Sequence, residues 1–133
     1  IKYFLVFLVI ALSLPVLAAG ELDDAFKLYK DSENLAFDAA RGKAMWEKTY
    51  PAEPDDPFKE RTCATCHGKD LTKASKHVKT GKPIDPMAPS ANKERFTELK
   101  KIEKWFKRNC KWTVGRECTN QEKGDLLTYL SQL

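Results

Sequence analysis

The sequence has no alternating strand pattern, no internal repeat and no low-complexity tract. That sets aside sheet folds and repeat arrays and leaves an all-α reading. Charge of one sign is also scarce. Without Lys2, which falls in the leader described below, 22 basic residues stand against 19 acidic ones, a net charge near +3. This is too mild for a nucleic-acid binder and at most hints at an acidic docking partner. Histidine is limited to two residues, His67 and His77, and cysteine to four, Cys63, Cys66, Cys110 and Cys118.

The only long apolar run is residues 1–20, IKYFLVFLVIALSLPVLAAG, with a single charge and small residues at its end. It is short and wrongly flanked for a membrane span and reads as a cleaved signal peptide, cut near Ala18 to Gly20. Residues 21–133 are then one small exported domain, expected in the periplasm, where disulfides persist.

Helical periodicity recurs along that domain. Leu22, Ala25, Phe26 and Tyr29 share one face. Asp38 is a candidate N-cap for a second helix with Gly42, Met45, Trp46 and Thr49 inward, and Gly42 there predicts close approach of another helix. Residues 50–62 and 80–92 carry three prolines each and are expected to be extended loops, the second laid as a stiff wall along a flat cofactor. From about Lys93 the pattern turns helical again, with Phe96, Leu99, Ile102 and Phe106 inward and Lys100, Lys101, Glu103 and Lys104 in water. Thr119-Asn120-Gln121-Glu122 is a capping box opening a last helix, expected to cross the Gly42 helix with Tyr129 or Leu126 against the gap.

Within this frame sits Cys63-Ala64-Thr65-Cys66-His67. Two thiols two residues apart can each add to one vinyl group of a porphyrin, and the next histidine reaches the iron from the same side. A redox-active CxxC pair would want a βαβ context, which is missing. A zinc site would want a second close pair, whereas Cys110 and Cys118 are eight apart. The reading is a c-type cytochrome with one covalent haem c, held by Cys63 and Cys66, with His67 as proximal ligand.

Function then turns on the opposite face of the iron. Met87 sits in a proline-rich loop but comes only 20 residues after His67, and reads more simply as an apolar filler. His77, among lysines, reads as an exposed loop histidine. The third source is 108–119, taken as the loop between the last two helices, which has neither Met nor His. In an oxidising compartment Cys110 and Cys118 are expected to pair, a short-loop closure worth roughly 2–3 kcal/mol. Asn109 precedes them, and its amide oxygen is a hard, weak ligand suited to ferric iron.

The runs Cys63-Ala64-Thr65-Cys66-His67-Gly68, Met87-Ala88-Pro89-Ser90, Glu103-Lys104-Trp105, Arg108-Asn109-Cys110 and Gly115-Arg116-Glu117-Cys118-Thr119 resemble the sphaeroides haem protein family of asparagine-ligated monohaem cytochromes c. The resemblance runs from about Cys63 to Leu130. It implies a cytochrome c fold, Asn109 as distal ligand of the ferric state, release of that ligand on reduction, and binding of oxygen or nitric oxide by the ferrous form. It also implies an electron donor, a dihaem cytochrome c with a membrane b-type cytochrome behind it. A monomer or weak dimer is expected. The alternative is a six-coordinate His/Met electron carrier, and no catalytic residue is assigned.

Overall fold

A computed structural model of the chain describes residues 20–31 and 34–133. The expected signal peptide, residues 1–20, lies outside them except for Gly20. The order of elements is α1 (Glu21–Lys30), α2 (Ala39–Glu47), β1 (Tyr50–Pro51), β2 (Glu60–Arg61), α3 (Ala64–His67), β3 (Ser75–Lys76), β4 (Pro83–Ile84), α4 (Leu99–Thr113) and α5 (Asn120–Leu130). The strands form two separate two-residue antiparallel ladders, β1 with β2 and β3 with β4. The architecture is therefore helical; the β1–β2 ladder closes the first proline loop at its base, and the β3–β4 ladder closes the turn 77–82 that leads into the second. No helix among the described residues is long and apolar enough to cross a membrane.

Local chemistry accounts for the helix ends. Glu21, Asp23 and Asp24 lie in the first turn of α1, and Lys27 and Lys30 in its last, each complementing the helix dipole. Asp38 caps α2 by accepting the Arg41 N–H at 2.8 Å. The capping box of α5 is complete: Thr119 accepts from Glu122 N–H, and Glu122 accepts from Thr119 N–H.

The helices close over two apolar clusters. Ala25, Tyr29, Ile102 and Leu127 form one, and Trp46, Leu71, Leu126 and Leu130 the other. Phe96 and Phe106 touch both and join them into one core.

Helix α2 packs closely against α5. A Cβ on Gly42 would lie 2.0 Å from the Asp125 carbonyl oxygen and 2.9 Å from Tyr129 Cβ, so only glycine allows the two backbones to meet. Tyr129 lies against the gap, as expected, but the nearest neighbour is the Asp125 backbone. The Asp125 carboxylate, with 6% of its side chain exposed, does not go unpartnered there. It accepts the Asp38 N–H at 2.7 Å, the Arg41 guanidinium at 2.8 and 2.9 Å and the Gln121 amide at 2.9 Å. A buried carboxylate so held fixes α2 to α5 in one register.

Several expectations need correction. Thr49 lies beyond the end of α2 at Glu47 and is exposed rather than inward. Residues 80–92 are not one extended wall, because the Ala91 and Asn92 N–H groups both donate to the Ala88 carbonyl and turn the chain after β4. The fourth helix begins at Leu99, not Lys93. Before it, Arg95 donates to the Pro86 and Asp85 carbonyls and Phe96 takes φ +61, which holds residues 93–96 in turns, and Glu98 is extended. At its other end, α4 continues through 108–113, because the buried stripe of Ile102 extends to Cys110 and Thr113. The connection to α5 is only 114–119, turned by Gly115 at φ +83. Finally, Glu103 does not face water: it is half-buried and accepts the Tyr29 hydroxyl, with Lys123 Nζ 3.3 Å from its other oxygen. Burial and this carboxylate push the Tyr29 phenol well above its ordinary pKa.

The glycine at the α2–α5 crossing gives a clear mutational contrast. Gly42→Ala should cost about 3 kcal/mol or more, because the obstructing atoms are backbone. Gly124→Ala should cost less, because its added Cβ meets the ring of Phe37, which can move. Urea midpoints of the two variants check the order.

Candidate haem site

The Cys63–His67 segment is shaped by reciprocal hydrogen bonds just before it. Thr62 N–H donates to Thr65 Oγ1 at 2.9 Å and Thr65 N–H to Thr62 Oγ1 at 3.1 Å. They wind the single turn of α3, in which His67 N–H donates to the Cys63 carbonyl at 3.1 Å. Gly68, at φ +73, ends it. The turn places both cysteines and His67 on one corner of the fold, half-buried.

Cys63 packs against the cluster of Trp46, Leu71, Leu126 and Leu130. The His67 ring lies 5.3 Å from that of Trp46, one turn beyond Gly42 on α2. The α2–α5 crossing thus sets the wall on which the histidine rests.

The state of these groups decides their chemistry. Burial, then the charges of Arg95 and His77, push the His67 pKa down to about 4, so the imidazole is neutral at physiological pH. Its Nδ1 is buried without a partner, and no hydrogen bond among the described residues holds the ring. Cys63 and Cys66 are unbonded to each other. Burial pushes the Cys63 thiol up to about 12, the opposite of what a thiolate nucleophile requires. Cys110 and Cys118 are joined by a disulfide, Cα atoms 5.6 Å apart, and are committed to each other. Among the described residues no three of His, Cys, Asp and Glu gather as a bare metal ion would need. Two free thiols and an unheld neutral imidazole at one corner fit the covalent attachment and axial ligation of a haem.

The distal candidates fall in different places. Met87 is half-buried beside the Cys63 cluster, its N–H donating to the Leu71 carbonyl at 2.9 Å. His77 is half-buried rather than exposed, and its Nδ1 accepts the Lys79 and Thr80 N–H groups at 3.3 and 3.2 Å, closing the β3–β4 loop. Asn109 sits within α4 rather than on a loop, exposed, its side chain without a hydrogen bond among the described residues. The disulfide beside it ties the end of α4 to the start of α5.

Sequence reasoning did not find Arg61. It is buried on β2, two residues before Cys63, and its guanidinium stacks 4.5 Å from the Trp112 ring. Its Nη1 donates to the Trp112 carbonyl and its Nη2 to Asp56. Trp112 is three residues beyond Asn109 on α4, so this stack joins the segment leading into the cysteine motif to the helix carrying Asn109. The available signal was an arginine and a tryptophan 51 residues apart, with nothing in their spacing to link them.

Asp56, with 5% of its side chain exposed, also takes Lys79 Nζ at 3.3 Å and the Phe58 N–H at 2.9 Å. Its pKa is lowered, first by the Phe58 backbone N–H and then by Arg61 and Lys79.

Comparison with known proteins follows the same lines. Residues 32–130 match the family model described as Domain of unknown function (DUF1924). The chain is 44% identical over 104 residues to cytochrome c-type protein SHP of Cereibacter sphaeroides, covering 77% of each. A solved structure of oxidised SHP, described as an oxygen-binding cytochrome c, matches with a TM-score of 0.73 at 41% identity, over 84% of this chain and 96% of that one. The solution structure of cytochrome c'' from Methylophilus methylotrophus, described as giving insight into haem-ligand detachment, matches with a TM-score of 0.63 at 28% identity, over 83% and 88%.

The Asp56 cluster carries its own pH signature. A carboxyl with a lowered folded pKa contributes stability that is full above its unfolded value, near pH 4, and is lost as the pH falls through the folded value. Asp56→Asn should therefore lower the urea midpoint at pH 7 and have a smaller effect at pH 3, read by denaturation at both.

Proposed function

Because this chain belongs to the family of cytochrome c-type protein SHP, with its cytochrome-c-like fold, we propose that it is a periplasmic monohaem c-type protein with a redox-gated ligand site. When bound, haem c supplies a one-electron redox change and, in the ferrous form, an open coordination position. Cys63 and Cys66 hold the porphyrin by thioether bonds. His67, turned in by α3 and backed by Trp46, provides the permanent ligand as a neutral imidazole. Asn109 would offer its amide oxygen, a hard, neutral donor suited to ferric iron and poorly suited to ferrous iron. The ferrous protein would then bind a small diatomic molecule such as oxygen or nitric oxide.

The observation that carries this reading is the setting of Asn109. It has a free amide on the last turns of a 15-residue helix, next to a disulfide and one turn from the Trp112 that Arg61 ties to the cysteine motif. The two relatives support it from outside: SHP is described as binding oxygen, and cytochrome c'' as detaching a haem ligand. The electron is supplied by a partner cytochrome, a dihaem c-type protein with a membrane b-type cytochrome behind it.

Two substitutions separate Asn109 from Met87 as distal ligand. Asn109→Ala should change the ferric absorption spectrum, while Met87→Leu should leave it unchanged and cost under about 1.5 kcal/mol as a volume-conserving swap. The reverse pattern would assign a six-coordinate His/Met electron carrier.

A further inference from the structure

Two N–H groups near the cysteine motif are buried without an acceptor among the described residues: Arg61 Nε and Trp112 Nε1. Buried donors are paired in nearly all native structures, and an orphan costs about 1–3 kcal/mol. These two belong to side chains in direct contact, with the guanidinium 4.5 Å from the centre of the indole ring. The arginine is fixed in place, since its two terminal nitrogens are taken by the Trp112 carbonyl and by Asp56. Only its Nε remains without an acceptor, and the Arg61 side chain is 10% exposed.

The charge of the group points the same way. Arg61 and Lys79 bring two positive charges and Asp56 one negative charge, so this hydrogen-bonded set holds one cation more than it balances. Two idle donors beside a net positive charge suit a monoanion with at least two acceptor atoms. A carboxylate meets that description.

We propose that Arg61 Nε and Trp112 Nε1 together hold one carboxylate of the haem. This rests on the haem assignment above and extends it to the cofactor's edge. The placement suits it, because Arg61 precedes Cys63 by two residues and Trp112 follows Asn109 by three. The pair therefore lies between the segment that attaches the porphyrin and the helix that carries the distal ligand. Holding a carboxylate there would fix one edge of the cofactor, so Arg61 and Trp112 are positioning residues.

The test uses the holoprotein with its haem carboxyls labelled by growth on [1-13C]5-aminolaevulinate, titrated by infrared spectroscopy. One of the two labelled carboxyls should titrate well below the other. In Trp112→Phe, which keeps a ring against Arg61 and Phe58 and removes the indole N–H, the proton affinity of that carboxyl should rise about tenfold, one pKa unit. The other should not move. Inorganic phosphate should leave both titrations unchanged. Coincident titration of both carboxyls in the unsubstituted protein, or an unaltered profile in Trp112→Phe, would overturn the assignment. So would a phosphate-sensitive profile, which would give the donors to a free anion. A pyridine haemochrome assay that found no covalent haem would instead bring down the functional reading itself.

Discussion

The crossing of α2 and α5 at Gly42 is the contact on which the other arrangements depend. With no side chain there, the two backbones meet, and the Asp125 carboxylate locks them through Asp38, Arg41 and Gln121. One turn along α2, Trp46 is thereby set against His67, and on α5 Leu126 and Leu130 complete the apolar floor on which Cys63 packs. A protein this small buries a limited core, and here that core is placed under the motif corner.

The candidate site has two halves built by different means. The His67 half is local: a threonine-braced turn winds the motif, and burial keeps the imidazole neutral. The Asn109 half is remote, carried on the end of a 15-residue helix and braced by a disulfide to the next helix. The Arg61–Trp112 stack connects them. A redox-gated site needs one ligand that stays and one that leaves. On the proposed reading, the half-buried His67 imidazole would stay and the exposed Asn109 amide on a helix end would leave.

Much of the fold could be read from periodicity and end signals. The Asp38 cap, the Thr119 capping box and the close approach at Gly42 each follow from a short-range rule, and each is present. Misread features were set by contacts that periodicity does not carry. The start of α4 is delayed by Arg95 reaching back to Pro86 and Asp85, and Glu103 is drawn inward by Tyr29 across the fold. The helical setting of Asn109 was missed because 108–119 was read through its cysteines and Gly115, although the stripe through Cys110 and Thr113 continues the period. Of the candidate site, the cysteine motif is legible from spacing alone. Arg61 is not, because its importance lies in partners at positions 56 and 112.

The most direct measurement is the absorption spectrum of the dithionite-reduced protein with and without carbon monoxide. A site whose amide ligand leaves on reduction predicts a high-spin ferrous spectrum that shifts when carbon monoxide is added. A sharp low-spin ferrous spectrum, indifferent to carbon monoxide, would mean that a strong ligand still holds the distal face, and would contradict the gate.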